Sequence, residues 1–495
     1  MRLRPARRSR VALSRRFRTR LTVSLPAVGL HWFDTRVLDF NARRVAYDAL
    51  LRAESPGDFL EHRLDADPNY QGLQPEDRRL TRELASGVLR NCGSLDWLIS
   101  RKTEGRTQKP KIQALLRLGA YQLFFLDRIP DHAAVNETVA LARSVGLTTQ
   151  AGFINAILRG LIREREVLRA DLERLKVSDP AIGWSHPAWL IERWTAHLTT
   201  DELQALLRWN NAAPRTFARV NRLKIQPPQL LELWSTEGIE ALPCDFPWVA
   251  KGTVFELKSH PPIESIPSFK SGGFYIQDPS TLMAVDLLEV KPGDRVLDFC
   301  AAPGGKTSLI AEHLNGNGNL VAADSNPDRL NLLIENTTRL GFTKCRVTTS
   351  EEAGSDFDRV LVDAPCSNTG VLRRRIELRW RIRPTELTRL ASLQSSILDN
   401  AAQRVRHGGV LVYSTCSLEP EENREVAHAF IERHPDFKLT KITELHPVRD
   451  GVDGAFAARF ERLEESQIGE LALKEAFRFP RNDPHPPPRA VLRLG

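Results

Sequence analysis

Residues 295–312 read RVLDFCAAPGGKTSLIAE, and the rest of the chain is read outward from them. RVLDF is a short apolar run that ends in a glycine-rich turn, the pattern of a buried strand, and TSLIAE opens a helix. Between them stand Cys300, Ala301, Ala302, Pro303, Gly304, Gly305 and Lys306. Small residues at such a turn let backbone N–H groups and the positive end of the helix approach an anionic group of a ligand. The turn is not the phosphate-binding G-x-x-x-x-G-K-[ST] loop, because Cys300 stands where its first glycine belongs, and it is not G-x-G-x-x-G. It predicts a nucleotide-like cofactor.

Four more apolar runs follow: NLVAAD (319–324), CRVTT (345–349), DRVLVD (358–363) and GGVLVYST (408–415). Helical stretches separate most of them. Continuous apolar strands alternating with helices predict a parallel, doubly wound sheet covered on both faces. Such sheets bind ligands at the carboxyl ends of their strands. Asp324 ends the second run about 20 residues past the glycines, where an acid can take the ribose hydroxyls of an adenosine. The plainer role for Asp324 is a helix N-cap, since Pro327 follows closely. Strand, turn, strand and acid admit either NAD or S-adenosylmethionine.

The next two strand ends narrow the chemistry. DAPCS (363–367) closes the fourth run and STCS (414–417) the fifth, so Cys366 and Cys416 are expected near one another and near the cofactor. Methylation at C5 of cytosine needs such a set. C5 is too weak a nucleophile until a thiolate adds at C6 and turns the ring into an enamine. An acid at N3 stabilises the adduct, and a base must then take the C5 proton. No hydride acceptor is required, which favours S-adenosylmethionine over NAD.

The residues CAAPGGKT, Asp324, DAPCSNTGVLRR and YSTCSLEPEEN resemble the RNA cytosine-5 methyltransferases of the Nop/Sun (Fmu) family. LRLGAYQLFFLDRIPDHAAVNETV and GFINAILRG resemble a NusB-like RNA-binding domain, a pairing typical of bacterial enzymes that act on 16S ribosomal RNA. The resemblance spans about residues 40–462. It implies Cys416 as nucleophile, Cys366 as the base for product release or its helper, and Asp363 as the contact to N3. It implies that residues 300–306, Asp324 and Asp363 hold S-adenosylmethionine. Where the family usually has an aspartate after the third strand this chain has TTSEEAG, which makes Glu351 the nearest substitute. Ile376 and Glu377 stand where a Pro-Asp pair is common. Arg219 and Asn221 of the RVN stretch, with Arg373 and Arg374 of the basic loop, are expected to contact RNA.

The wider chain fits a multidomain plan. It has a basic, disordered extension over 1–39, an all-α NusB-like domain over 40–165, and a linker with a small α+β domain over 166–272. A Rossmann-like class I methyltransferase domain follows over 273–465, then a tail over 466–495. The first 20 residues hold nine arginines and no acid, too polar for a core. The net charge of +8 suits a polyanionic partner such as RNA. No apolar run approaches the roughly 18 residues of a membrane span. The six cysteines form no Cys-x-x-Cys pair, which argues against a metal site or a disulfide framework and for a cytoplasmic protein. Cys92, Cys244 and Cys345 read as small buried residues. A monomer is expected. The alternatives are a transfer RNA cytosine-5 methyltransferase, or a NusB-like RNA-binding factor whose methyltransferase domain is inactive.

Overall fold

The computed structural model describes residues 41–52 and 59–467. The expectations for the extension 1–39, and for all but the first two residues of the tail, lie outside the described residues. From Asn41 the chain is helical, as the spacing of its apolar residues predicts: Ala42–Leu51, Leu60–Asp65, Pro68–Gln71, Pro75–Arg90, Cys92–Ser100, Pro110–Phe125, Asp131–Ser144 and Ala151–Arg163. Proline opens three of these helices, where its missing N–H is not needed. Pro110–Phe125 runs through the middle of the group, with Leu115, Leu116, Leu118 and Ala120 fully buried. A β-carbon on Gly87 would lie 1.9 Å from the Tyr121 ring, so glycine is what lets Pro75–Arg90 pack against this central helix.

The charged stretch after Glu164 forms the helix Arg165–Ser178, whose Leu168 and Leu172 pack on the same helical core. Helices Ala188–Thr195 and Thr200–Asn211 follow. The second starts at a Thr199–Glu202 capping box, which satisfies two otherwise orphaned N–H groups. Next come β1 (Thr216–Val220), β2 (Glu240–Cys244), β3 (Val254–Ser259) and β4 (Phe274–Ile276), an antiparallel sheet in the order β2-β3-β1-β4. Helix Pro227–Thr236 seats the buried Trp234 against Phe255 and Phe274.

The large sheet contains β5 (Arg295–Asp298), β6 (Asn319–Ala323), β7 (Arg346–Thr348), β8 (Phe357–Asp363), β9 (Val405–Thr415), β10 (Phe437–Leu445) and β11 (Ala455–Arg462). Their order is β10-β11-β9-β8-β5-β6-β7. The five strands read from the sequence are parallel to their neighbours within that set. The sheet as a whole is mixed, because β11 runs antiparallel to both β9 and β10. Only residues 446–454 join β10 to β11, and a parallel crossover needs about a dozen or more. The chain starts at the central β5, moves out to β7 and returns to β8 on the other side. The crevice at that reversal, outside the carboxyl ends of β5 and β8, is where a ligand fits.

Candidate active site

The glycine turn follows β5 directly and is tied to β6 and to the helix Pro327–Leu340 by hydrogen bonds. Gly304 sits at φ +104°, a region that favours glycine, and its position caps the helix Gly305–Leu314. Ala301 N donates to Ala323 O at 2.9 Å, and Asn336 Nδ2 donates to Pro303 O at 2.9 Å. Asp324 closes the other side. Its carboxylate, 2% exposed, accepts from Ala302 N at 3.3 Å and pairs with Arg329 at 3.3 Å. The N-cap of the next helix is Asn326, whose side chain accepts from Asp328 N and Arg329 N, so Asp324 is not the cap. Asp324 braces the turn from behind.

A cavity of about 400 Å³ opens in front of this turn. Cys300–Pro303, Gly305, Lys306, Asp298, Asp363, Asn368 and Cys416 all contribute to its wall. Asp298 is 1% exposed. Its Oδ2 accepts from Thr307 Oγ1 at 2.7 Å, while Oδ1 has no partner among the described residues. Burial, together with Asp363, pushes the Asp298 carboxyl up to about 7, against the opposing pull of the Thr307 hydroxyl. Lys306 Nζ lies 2.6 Å from Asp363 Oδ2, and Ser414 Oγ donates to Asp363 Oδ1 at 3.0 Å. Burial alone would depress the Lys306 ammonium. Asp363 and Cys416 outweigh it and raise the group above its ordinary value.

Cys366 and Cys416 meet with their sulfurs 3.4 Å apart. Asn368, in the left-handed region at φ 60°, bridges them: its Nδ2 donates to Cys366 O at 2.6 Å, and its Oδ1 accepts from Cys416 Sγ at 3.2 Å. The Cys416 sulfur beside it and burial push the Cys366 thiol well above its ordinary range. Cys366 is therefore held as a thiol, and the Cys416 sulfur lies near the Lys306 ammonium.

Other expected site residues stand elsewhere. Glu351 is exposed and does not line the cavity, because β7 ends at Thr348 and the chain has already turned to solvent. It does not replace the missing aspartate. The RNA contacts expected of Arg219, Asn221, Arg373 and Arg374 are also corrected by their surroundings. Arg219 is fully buried and bonds to Glu312, Ser308 and, at 3.1 Å, Gln277. Asn221 Nδ2 donates to Gly272 O and Leu340 O, both at 2.8 Å. Arg373 pairs with Asp453 at 2.7 Å and Asp278 at 3.3 Å, over the Trp209 ring. Arg374 pairs with the same two aspartates. Further along the loop, Arg379 is fully buried among main-chain carbonyls, and burial lowers it to about 9. Ile376 packs into the helical core, Glu377 accepts from Leu60 N, and Trp380 Nε1 donates to Leu89 O at 2.9 Å. The basic loop thus clamps the helical region to the large sheet. Arg375, which lines the cavity beside Arg374, differs in its partners: it stacks on Phe59 at 4.3 Å and has no carboxylate partner among the described residues.

Asp298, Asn368 and Glu422 belong to the site without an isolated motif to announce them. Position is the one available signal, since each lies in or beside a quoted motif at a strand end.

Comparison with known proteins agrees with this architecture. Residues 285–461 match the family model of 16S rRNA methyltransferase RsmB/F, 40–163 match the NusB family, and 186–252 match an RsmF/B-like ferredoxin-like domain. The chain is 36% identical over 406 residues to the probable ribosomal RNA small subunit methyltransferase B of Bacillus subtilis, covering 80% of this chain and 90% of that protein. It is 34% identical over 428 residues to ribosomal RNA small subunit methyltransferase B of Escherichia coli SMS-3-5, covering 84% and 96%. The crystal structure of PH0851 superposes with a TM-score of 0.71 at 25% identity, over 85% of this chain and 98% of that one. NSun6 from Pyrococcus horikoshii, solved with SFG, shares the fold at a TM-score of 0.51 and 21% identity, over 56% and 99%.

Proposed function

The chain belongs to the 16S rRNA methyltransferase RsmB/F family, and from that footing we propose that it methylates C5 of a cytosine in 16S ribosomal RNA through a transient Cys416–C6 bond. One observation carries the reading. The Cys416 sulfur, 3.4 Å from that of Cys366, shares a cavity with a Lys306–Asp363 pair and the glycine turn.

The cofactor is S-adenosylmethionine. The residues suit it: the unpartnered Asp298 oxygen can meet a cationic group, and the turn Cys300–Lys306 leaves its backbone open to an amino-acid carboxylate. Asp324 holds that turn in place. When bound, the cofactor supplies an electrophilic methyl carbon beside the ring.

The chain's own residues do the rest. A cytosine must leave its stack to enter the cavity. The Cys416 sulfur, near the Lys306 ammonium, adds to C6. Negative charge then grows on the N3 side of the ring. Lys306, aimed by Asp363, meets it there, so the pair acts where the sequence suggested the carboxyl alone. After methyl transfer a base takes the C5 proton, the ring double bond returns and the Cys416 sulfur leaves. Cys366, held as a thiol 3.4 Å away, hydrogen-bonds the departing sulfur and keeps its own proton. That is the helper's part of release rather than the base's.

RNA is the substrate class, and among the described residues no helix is long and apolar enough to cross a membrane. Bisulfite sequencing of 16S ribosomal and transfer RNA from a deletion strain tests the target. Loss of one methylated cytosine in 16S RNA is expected. Loss confined to transfer RNA would move the substrate, and no loss anywhere would favour an inactive binding factor. In vitro, Cys366→Ala should trap an RNA adduct on a denaturing gel, and Cys416→Ala should form none while still binding the cofactor. The reverse pattern would exchange the two roles.

A further inference from the structure

Behind the two sulfurs lies a carboxylate that the reaction above does not use. Glu422 is fully buried. Its Oε1 accepts from Ser367 N at 2.8 Å and from Gln394 Nε2 at 3.0 Å. Its Oε2 accepts from the hydroxyls of Ser367 and Ser417. Ser367 directly follows Cys366, and Ser417 directly follows Cys416. The two hydroxyls also lie 3.0 Å from each other. Among the described residues no cation pairs with Glu422, so all of these partners are neutral donors. A buried charge without a counter-ion is expensive unless every lone pair is used. Apolar packing could join two loops more cheaply, which points to a role beyond packing.

We propose that Glu422 is a positioning residue, tying the Cys366 loop to the Cys416 loop and so setting the 3.4 Å approach of their sulfurs. Its meaning for catalysis rests on the reaction proposed above. Its meaning for the thiols does not. Cys366 is faced by Cys416, Glu422 and Tyr413, and the Glu422 charge adds to the forces that keep it protonated, after Cys416 and burial. Cys416 is faced by Cys366 and Lys306.

Full-length Glu422→Gln, Glu422→Asp and Ser417→Ala proteins test this. Glu422→Gln keeps the shape and removes the charge. Glu422→Asp keeps the charge and shortens the reach by one methylene. Iodoacetamide labelling of Cys366 and Cys416 across pH 6–10, read by peptide mass spectrometry, needs no RNA. In Glu422→Gln, Cys366 labelling at pH 8 should rise about tenfold. In Glu422→Asp, the yield of a Cys366–Cys416 disulfide under limiting hydrogen peroxide should fall at least fivefold, because the loops separate. Methylation kcat should drop tenfold or more in Glu422→Asp, with KM for RNA within twofold. Ser417→Ala, which removes one of the bonds, should fall between that variant and the original protein.

Unchanged labelling in Glu422→Gln together with unchanged disulfide yield in Glu422→Asp would overturn the proposal. So would a loss of rate matched by an equal loss of folded protein in circular dichroism. Shifted labelling in a protein that methylates no cytosine would uphold the positioning and sink the reaction instead.

Discussion

Replacing Arg219 by methionine separates two roles for this residue. The guanidinium is 0% exposed and its partner Glu312 only 6% exposed. Removing one member of a buried ion pair leaves the other uncompensated, which typically costs about 3–5 kcal/mol. The bonds to Ser308 and Gln277 are lost as well. For a cooperative unit of roughly 150–250 residues, each kcal/mol moves Tm by about 2–4 °C, so a fall on the order of 10 °C is expected. Thermal unfolding by circular dichroism measures it. RNA affinity should be read well below both midpoints, as a function of salt. If Arg219 is structural, affinity and salt slope stay put while Tm falls. The double variant Arg219→Met/Glu312→Leu should recover most of the loss, because an apolar pair can replace a buried ion pair at little cost. A Tm within 1 °C of the original, joined to weaker RNA binding and a salt slope reduced by about 0.7, would show that Arg219 neutralises a phosphate and that the reasoning is wrong.

Three further outcomes follow from particular residues. Asp298 is raised to about 7 in the folded protein, so the native state holds a proton that the unfolded chain releases near pH 4. Its contribution is complete below pH 4 and is lost as pH rises to 7, about 4 kcal/mol in all. Asp298→Asn should flatten that limb of the stability–pH curve in cofactor-free protein, raise Tm at pH 8 and weaken cofactor binding in calorimetry; a parallel curve with intact binding would refute it. Arg375→Ala should weaken RNA binding and lower the salt slope by about 0.7 without moving Tm, since no carboxylate holds this side chain among the described residues. An unchanged slope in a filter-binding titration would remove Arg375 from the RNA path. Gly87→Ala should destabilise the helical region by about 1–3 kcal/mol despite alanine's better helix propensity, because its β-carbon would meet the Tyr121 ring. A gain of stability in urea unfolding would mean that the ring moves aside freely.

Strand ends were legible because apolar runs stop where the chain leaves the sheet. RVLDF, DRVLVD and GGVLVYST end within a residue of β5, β8 and β9. Residues of their motifs therefore line one common cavity. Two kinds of residue were not legible. Arg219 and Arg373 look alike in sequence to arginines that bind phosphate, since only a three-dimensional neighbour such as Glu312 or Asp453 decides whether the donors are already taken. Glu351 looked like a strand-end acid, yet β7 stops at Thr348, and one short irregular turn carries the side chain out of the site.

The sequence alone determined the kind of chemistry. Residue type fixes which atoms can attack, donate or bind, and local periodicity fixes which of them stand at the ends of strands. It also determined the order of helical, small α+β and sheet regions, because those patterns are written in neighbouring residues. Only the tertiary structure decided which groups meet. The 3.4 Å contact of Cys366 with Cys416, 50 positions apart, and the reach of Glu422 to both loops depend on strand pairing and packing. So does the division of nearby cations into clamps such as Arg373 and a free charge such as Arg375, since burial and counter-ions are properties of folded neighbours that no stretch of chain contains by itself.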